Sequence, residues 1–441
     1  MILAAGTMAA CLVTVWLLRR HTVWVLGLIV ALYVGIPAQA DGLIVPFLHP
    51  GSYLTLALVL QHLVMRDRDE LVRLARPGLP VVIGFVIAMS IAMLDLLNPY
   101  ESDPGWLFST VTRIFLLGFL LFPLTLIELR RRPESRRTLA SILIVIALVE
   151  AVIVILQHQS DMERFVFWEE YYRLSYWYDD DFPIPMGTTG HPLQMAAYVS
   201  MCIPLLARLR SPVVAVSIAG VLLYACALGT GRASTALAAV GVLFLLVWHG
   251  RRWHAAAAAA VLALVAGRRL WESEGMLGLR NKVDDDQGSA RLREDALRWA
   301  LEHMDEFIWF GYPGGHDLRG TGVLRSSLEN GYLIAGLAFG MVFVVAIFCV
   351  HALAVLRPLS ARTKAVPEVM ATSFVWVGFV ASSSFMAFAI DGRVFWMLAA
   401  MGWAVALPVT ASEATLEQGQ TDAGAADSVP TATTPGLSAA G

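Results

Sequence analysis

Charged residues and cysteines are scarce in this chain, and their scarcity excludes several classes of protein. Asp, Glu, Lys and Arg make up 15% of the 441 residues, whereas a soluble globular protein has about 25%. The four cysteines all lie within apolar segments (Cys11, Cys202, Cys226 and Cys349), so neither a disulfide framework nor a cysteine-based metal site is expected. The composition also excludes a nucleic-acid-binding protein, a secreted disulfide scaffold and a collagen-like or disordered chain.

Apolar residues are abundant instead, at 57% of the chain, with a mean hydropathy of +0.65. A membrane-spanning helix needs roughly 20 mainly apolar residues, and thirteen segments are candidates. We therefore predict an all-α, polytopic integral membrane protein with about 12–13 transmembrane helices in a lipid bilayer. The predicted spans are 2–18, 22–38, 51–65, 79–97, 107–127, 138–157, 191–207, 213–229, 233–248, 255–271, 328–352, 369–390 and 393–410.

The distribution of arginine predicts how the chain crosses the membrane. Arginines recur in alternate short loops, for example at Arg19–Arg20, Arg130–Arg132 and Arg208, and such loops are typically cytoplasmic. Residues 1–410 then form one membrane domain with long external loops at 158–190 and 268–327. The first span is either a thirteenth helix or a signal-like helix before a twelve-helix core. Residues 411–441 contain four acids and no base and predict a disordered cytoplasmic tail.

The larger external loop contains a predicted amphipathic helix. In SARLREDALRWALEHMDEFIWF (289–310), apolar residues recur at helical spacing and arginines and glutamates occupy the other faces. This pattern is typical of a surface helix with a solvated charged face. The following GYPGGHDLRGTG (311–322) is rich in glycine, so that its backbone N–H groups either approach an anion closely or simply form a turn.

Several charged or polar residues lie at or below the predicted external ends of the spans. Glu329 and Asn330 begin a membrane helix, where a carboxylate is stabilised by the helix dipole or takes a proton from a hydroxyl nucleophile. Arg232 lies between two spans, as either an interfacial or a functional arginine. Arg113 and Glu150 lie roughly 10 Å inside their spans, facing a cavity, pairing with each other or forming a structural salt bridge.

Aromatic residues concentrate in the first external loop. Nine of them, including Trp168 and Tyr172, lie between residues 161 and 182 among acids. They predict either an interfacial aromatic belt or a platform on which sugar rings stack while neighbouring acids accept hydroxyl hydrogen bonds. His191, before Pro192 at the start of a span, is interpreted as a helix-cap residue rather than a catalytic base.

Four segments, in order, resemble the O-antigen ligase / O-antigen polymerase family of bacterial envelope glycan enzymes. They are GTTGHPLQMAAYVSMCIPL (187–205), LGTGRAST (228–235), SARLREDALRWAL with FGYPGG (289–315), and LENGYLIAGLAFG (328–340). The large external loop before the last three spans is also similar to the family's layout. Glu329-Asn330 stands where ligases carry His-Asn, and this difference leaves ligation and polymerisation both open.

The resemblance implies an enzyme that ligates or polymerises glycan carried on undecaprenyl diphosphate, at the external face of the plasma membrane. Its partners would be a lipid-linked oligosaccharide donor and a glycan or lipid-glycan acceptor. Arg232, with Arg291 or Arg293, would bind the donor pyrophosphate, and Glu329 would be the candidate base. Asn330, Arg113, Trp168 and Tyr172 are further candidates for substrate contacts.

No cofactor is expected, and no metal either, because arginines suit phosphate oxygens and the external loops contain no His/Asp cluster with metal-ligand spacing. The alternative is a secondary transporter or a lipid-linked oligosaccharide translocator. Arg113 and Glu150 favour it, whereas the sequence suggests neither an internal repeat nor interrupted helices.

Overall fold

A computed structural model describes residues 2–37, 48–98, 104–160, 162–168, 184–229, 231–250, 287–312, 315, 328, 330–360, 365–381 and 387–407. Helices dominate, and no β-strand occurs in these ranges. They are α1 (Ile2–Leu17), α2 (Thr22–Gly35), α3 (Pro50–Met65), α4 (Arg68–Leu97), α5 (Pro104–Arg131), α6 (Ser135–Gln159), α7 (Pro192–Cys202), α8 (Pro212–Leu228), α9 (Arg232–Trp248), α10 (Gln287–Glu302), α11 (Gly331–Phe339), α12 (Met341–Ser360), α13 (Val366–Ala381) and α14 (Ala387–Ala406).

The apolar segments predicted as spans form helices wherever the structure describes them. Helices α4, α5, α6 and α12 are long and apolar enough to cross a membrane, and the shorter apolar helices have 10–17 residues. The expected all-α membrane protein is thereby confirmed. The predicted span 255–271 and the tail 411–441 lie outside the described residues, so the total of twelve or thirteen spans stays a prediction.

Arginines of the short loops meet on one face of the helix bundle. Arg66 lies 3.3 Å from Glu128 and Arg131 lies 3.4 Å from Glu70. Arg132 also donates a hydrogen bond to the backbone of Arg20. We call this surface the basic face. We call the opposite surface, where α2, α4 and α6 end and α3, α5 and α7 begin, the second face.

The predicted span 328–352 is not one helix, and this prediction was wrong. It is divided into α11 and α12 at Gly340, whose φ is +84°. A side chain at this position would lie 2.8 Å from the backbone of Trp309, and the N–H of Val342 donates to Ile308 O at 3.0 Å. The backbone of residues 308–310 therefore inserts at the break, where only glycine leaves enough room.

The predicted amphipathic helix is α10, and its apolar face packs as expected. Ala296, Ala300 and Phe307 are buried together with Leu328 and Leu337. Further on, Gly311 and Gly315 lie so close to the carbonyls of α11 that any side chain would clash with them. Within the described part of the Gly-rich turn, the glycines therefore serve close backbone packing.

Backbone N–H groups of the same turn donate within the protein. Gly311 N–H donates to Asp95 Oδ1 at 2.8 Å, and Tyr312 N–H donates to Leu337 O at 2.7 Å. Gly315 N–H donates to Tyr312 O, also at 2.7 Å. An anion bound here would have to use N–H groups other than these three.

Candidate functional site on the second face

The last turn of α2 ends on the second face with backbone carbonyls that have no partner within the helix. Side chains from later in the chain bind these carbonyls. Thr188, Trp168 and His49 contact the carbonyl oxygens of residues 34, 35 and 36, respectively, at 3.1 Å each. The end of α2 thus contacts both the start of α3 and the connection between α6 and α7.

Trp168 uses its indole N–H in this contact, so that part of its side chain has a structural role. Its backbone has a φ of +63°, which is uncommon for a residue other than glycine. The contact fixes the ring beside α2. Stacking of a sugar on that ring stays a prediction, and Tyr172 lies outside the described residues.

Arg393 is a buried arginine near the second face. It lies six residues into α14, roughly 9 Å from the start of the helix, and is only 4% exposed. Its guanidinium lies 3.6 Å from the centre of the Tyr33 ring, and Nη2 donates to the carbonyl of Arg113 at 3.2 Å. A cation over an aromatic face is stabilised most strongly when both are away from water.

The carbonyl of Arg113 reaches Arg393 because the helix is irregular at this point. Residues Val111–Leu116 form a π-helical turn within α5, and the N–H of Leu117 bonds to Thr112 O, five residues earlier. The α-helical bond from Leu117 N–H to Arg113 O is therefore not made. Turns of this kind inside α-helices frequently occur at functional sites.

His49 completes the cluster around Tyr33. The two rings stack with centroids 4.4 Å apart. Burial and, secondarily, the charge of Arg393 lower the pKa of the His49 imidazole to about 3, and the hydrogen bond to the Ile36 carbonyl opposes this only in part. Because Nδ1 accepts from Gly51 N–H at 3.0 Å, Nε2 carries the proton. His49 is therefore a neutral ring and a helix cap.

A second polar cluster joins α6 to the segment 184–190. Gln157 is fully buried, and all its amide contacts are to backbone groups, at Phe165, Met186 and Gly187. About two helical turns further into α6, Glu150 accepts from Thr188 N–H at 2.8 Å and contacts Thr188 Oγ1. Glu150 thus bonds to Thr188 and forms no ion pair with Arg113 in the described structure, so the pairing considered from the sequence is not present.

Polar side chains also hold the first turn of α11. Asn330 is its N-cap, since Oδ1 accepts from the N–H groups of Tyr332 and Leu333 at 3.0 and 3.1 Å. Below it, the Tyr332 hydroxyl lies 2.7 Å from His351 Nδ1 and accepts from Trp376 Nε1, also at 2.7 Å. Asn330 therefore has a structural role, and its part in substrate binding stays a prediction.

The remaining predicted site residues are only partly described. Arg232 is the first residue of α9 and is half-buried. Its turn packs on α7, because a side chain at Gly231 would lie 3.4 Å from Ala196. Arg291 is exposed on α10. Glu329 and the side chain of Arg293 lie outside the described residues, so the predicted convergence of these arginines over Glu329 stays a prediction.

Sequence reasoning missed Arg393 and Asp95, two buried charged residues near the second face. An ionisable residue inside a predicted span is a signal for function, and it identified Arg113 and Glu150. Arg393 escaped this rule because the last span was predicted to begin at residue 393 itself. Asp95 lies only two residues from the end of the predicted span 79–97, yet it is 1% exposed and binds Gly311. His191, in contrast, caps α7 as predicted.

No protein-family model and no curated protein matches this chain. The similarity to O-antigen ligases and polymerases therefore depends on the four sequence segments alone.

Proposed function

We propose that this protein is a membrane glycosyltransferase that ligates or polymerises glycan from an undecaprenyl-diphosphate-linked donor on the external face of the plasma membrane. The second face is the external one in this proposal. One observation carries it above all: Arg393 is buried at the second face, held by the Tyr33 ring and the Arg113 carbonyl. Buried arginines inside membrane spans commonly mark a path or a site for a polar substrate.

The contrast between the two faces supports chemistry at the second face. On the basic face, arginines pair with carboxylates, as Arg208 does with Glu368 at 2.9 Å. On the second face, Arg393 contacts the Tyr33 ring and the Arg113 carbonyl, and Arg113 forms no ion pair among the residues that the structure describes. The positive charge of Arg113, which pairs with no described carboxylate, suits an anionic ligand such as a diphosphate.

In the proposed reaction, a hydroxyl oxygen of the acceptor attacks the anomeric carbon of the donor sugar. The bond from that carbon to the diphosphate oxygen breaks, and undecaprenyl diphosphate leaves with both electrons. Arg232, together with Arg291 or Arg293, balances the charge of the leaving group. Glu329 takes the proton of the hydroxyl. Arg113 and Arg393 add positive charge at the inner end of the site, and the step needs no metal.

Purified protein incubated with a lipid-linked oligosaccharide tests the proposal directly. Chain lengthening would identify a polymerase, and transfer to a separate acceptor would identify a ligase. We expect Arg232→Ala to abolish transfer while insertion and abundance stay unchanged. Glu329→Gln should be impaired far more than Asp305→Asn, a control at an exposed position beyond α10. Full activity of Arg232→Ala, or equal mild effects of the two acid variants, would contradict these roles.

A lipid-linked oligosaccharide translocator is the second candidate, and one observation favours it. Interrupted helices occur at the substrate sites of many transporters, and the described residues include an interruption at Gly340 that the sequence did not indicate. Movement of a fluorescent lipid-linked oligosaccharide across proteoliposomes, without formation of any glycosidic bond, would select this function over glycan transfer.

A further inference from the structure

Glu150 is a buried acid in the half of α6 that leads to the second face, and none of the described residues forms an ion pair with it. Its side chain is 3% exposed. The nearby titratable groups on the packed helix α7 are Tyr198 and Cys202. Both hydrogen bond to the carbonyl of Leu143 and carry no positive charge. An ionised carboxylate in such a place would be strongly disfavoured.

The hydrogen-bond donors and acceptors around Thr188 indicate the protonation state of Glu150. Thr188 Oγ1 contacts two acceptors, the Val34 carbonyl at 3.1 Å and Glu150 Oε1. A hydroxyl has one hydrogen to donate, and the Val34 carbonyl has none. If Thr188 donates to Val34, the second contact needs a hydrogen from Glu150. The other oxygen, Oε2, accepts from Thr188 N–H at 2.8 Å.

We propose that Glu150 is a neutral carboxylic acid that holds the segment 184–190 against α2 and thereby positions the Arg232 turn. Its O–H donates to Thr188 Oγ1, which donates to the Val34 carbonyl, so that a single chain of hydrogen bonds joins α6, the segment and α2. Glu150 is then a positioning residue for glycan transfer. This positioning role, unlike the protonation of Glu150, rests on the proposed function.

A series of direct contacts connects Glu150 to the turn that precedes Arg232. Gly187, at a φ of +65°, lets the segment close directly over the carboxyl group. Thr189 then bonds to the backbone of Met186 and His191, which caps α7. The first turns of α7 contact the turn before Arg232, since a side chain at Gly229 would lie 2.8 Å from Met195.

Infrared spectroscopy of the purified protein tests the protonation without any assay of function. We expect a band of a protonated carboxyl group that disappears in Glu150→Gln. Glu368→Gln is the matched control, because Glu368 is equally buried but pairs with Arg208, and its replacement should leave the band unchanged. A spectrum that Glu150→Gln does not alter would overturn the assignment.

Hydrogen exchange and transfer activity test the positioning. Gln presents an N–H to Thr188 Oγ1 and a carbonyl to Thr188 N–H, so Glu150→Gln should keep the exchange of residues 186–188 and the transfer rate within about twofold of the native protein. Glu150→Ala should speed exchange about tenfold or more and lower transfer; Thr188→Ser should behave as native. Equal damage in Glu150→Gln and Glu150→Ala would overturn the positioning role. If the native protein transfers no glycan, the proposed function fails while the infrared and exchange results still judge Glu150.

Discussion

Arg393 places a permanent positive charge inside an apolar helix bundle. Arginine keeps its proton at any physiological pH, so burial cannot neutralise it as it neutralises a carboxyl group. The Tyr33 ring and the Arg113 carbonyl replace part of the lost water. In the proposed function, this charge binds an anionic group of the substrate.

We expect Arg393→Lys to lower glycan transfer by about tenfold or more, because an ammonium group cannot both stack on Tyr33 and present the planar fork of a guanidinium. Abundance in the membrane should stay unchanged, since the positive charge is kept. Transfer rates of purified native and variant protein provide the measurement. Arg298→Lys, on exposed α10, is the control, and a fully active Arg393→Lys would remove Arg393 from the site.

His49 should make the protein sensitive to acid. Its pKa is lowered to about 3 in the fold, whereas an unfolded histidine has a pKa of about 6.5. Between these values the unfolded chain binds a proton that the folded chain does not, so the free energy of unfolding falls as the pH drops from 6.5 towards 3. His49→Asn should make this fall shallower.

Thermal unfolding in detergent between pH 7.5 and pH 4 measures the effect. Tyr33→Phe is the control, because it removes the hydroxyl that bonds to Ser52 but keeps the ring stacked on His49. We expect it to preserve the pH dependence of the native protein. A pH dependence identical in His49→Asn and in the native protein would contradict the role of His49.

At the scale of helices, apolar segments were enough to locate the elements, because each span must be apolar along its length. The break at Gly340 was not predictable in this way, since the residues on both sides are equally apolar. The backbone of Trp309 causes it, and that residue is 31 positions away in the sequence. The π-turn at Arg113 has a similar origin in contacts between α5 and α14, which no local pattern reveals.

The break predicts a marked effect of a single methyl group. Gly340→Ala should lower the free energy of unfolding by at least about 2 kcal/mol, because alanine disfavours a φ of +84° and its methyl group would contact Trp309. Gly220→Ala, within α8 where nothing lies within 4 Å, should leave stability unchanged or slightly raise it. Thermal unfolding of the native protein and both variants measures the effect. If Gly340→Ala were as stable as Gly220→Ala, the backbone at Gly340 would not require glycine.

For the whole molecule, arginine counting predicted which loops share a face, and the contacts on the basic face agree with it. The individual partners were not predictable, because Arg208 and Glu368 belong to helices 160 residues apart. The candidate site was predictable only in outline. Arg113 and Glu150 were named from the sequence because they lie well inside predicted spans. Arg393 was not, because its burial depends on how α14 packs against the other helices.

The orientation in the membrane can be measured with cysteines introduced one at a time, in a protein whose four native cysteines are replaced by alanine. A membrane-impermeant maleimide added outside intact cells should label Arg291→Cys, on exposed α10, and should not label Glu134→Cys, which is exposed on the basic face between α5 and α6. Lysed cells should allow labelling of both positions, which controls for accessibility. The reverse pattern would place the second face in the cytoplasm and exclude the proposed external reaction.

The end of α2 has a consequence for how this chain can evolve. His49, Trp168 and Thr188 each complete the same helix terminus, so the loss of any one exposes carbonyls beside the other two. The effects of their substitutions on the free energy of unfolding should then not add: replacing a second of these residues should change it by a different amount than replacing that residue alone. Among natural homologues, these three positions are expected to change together.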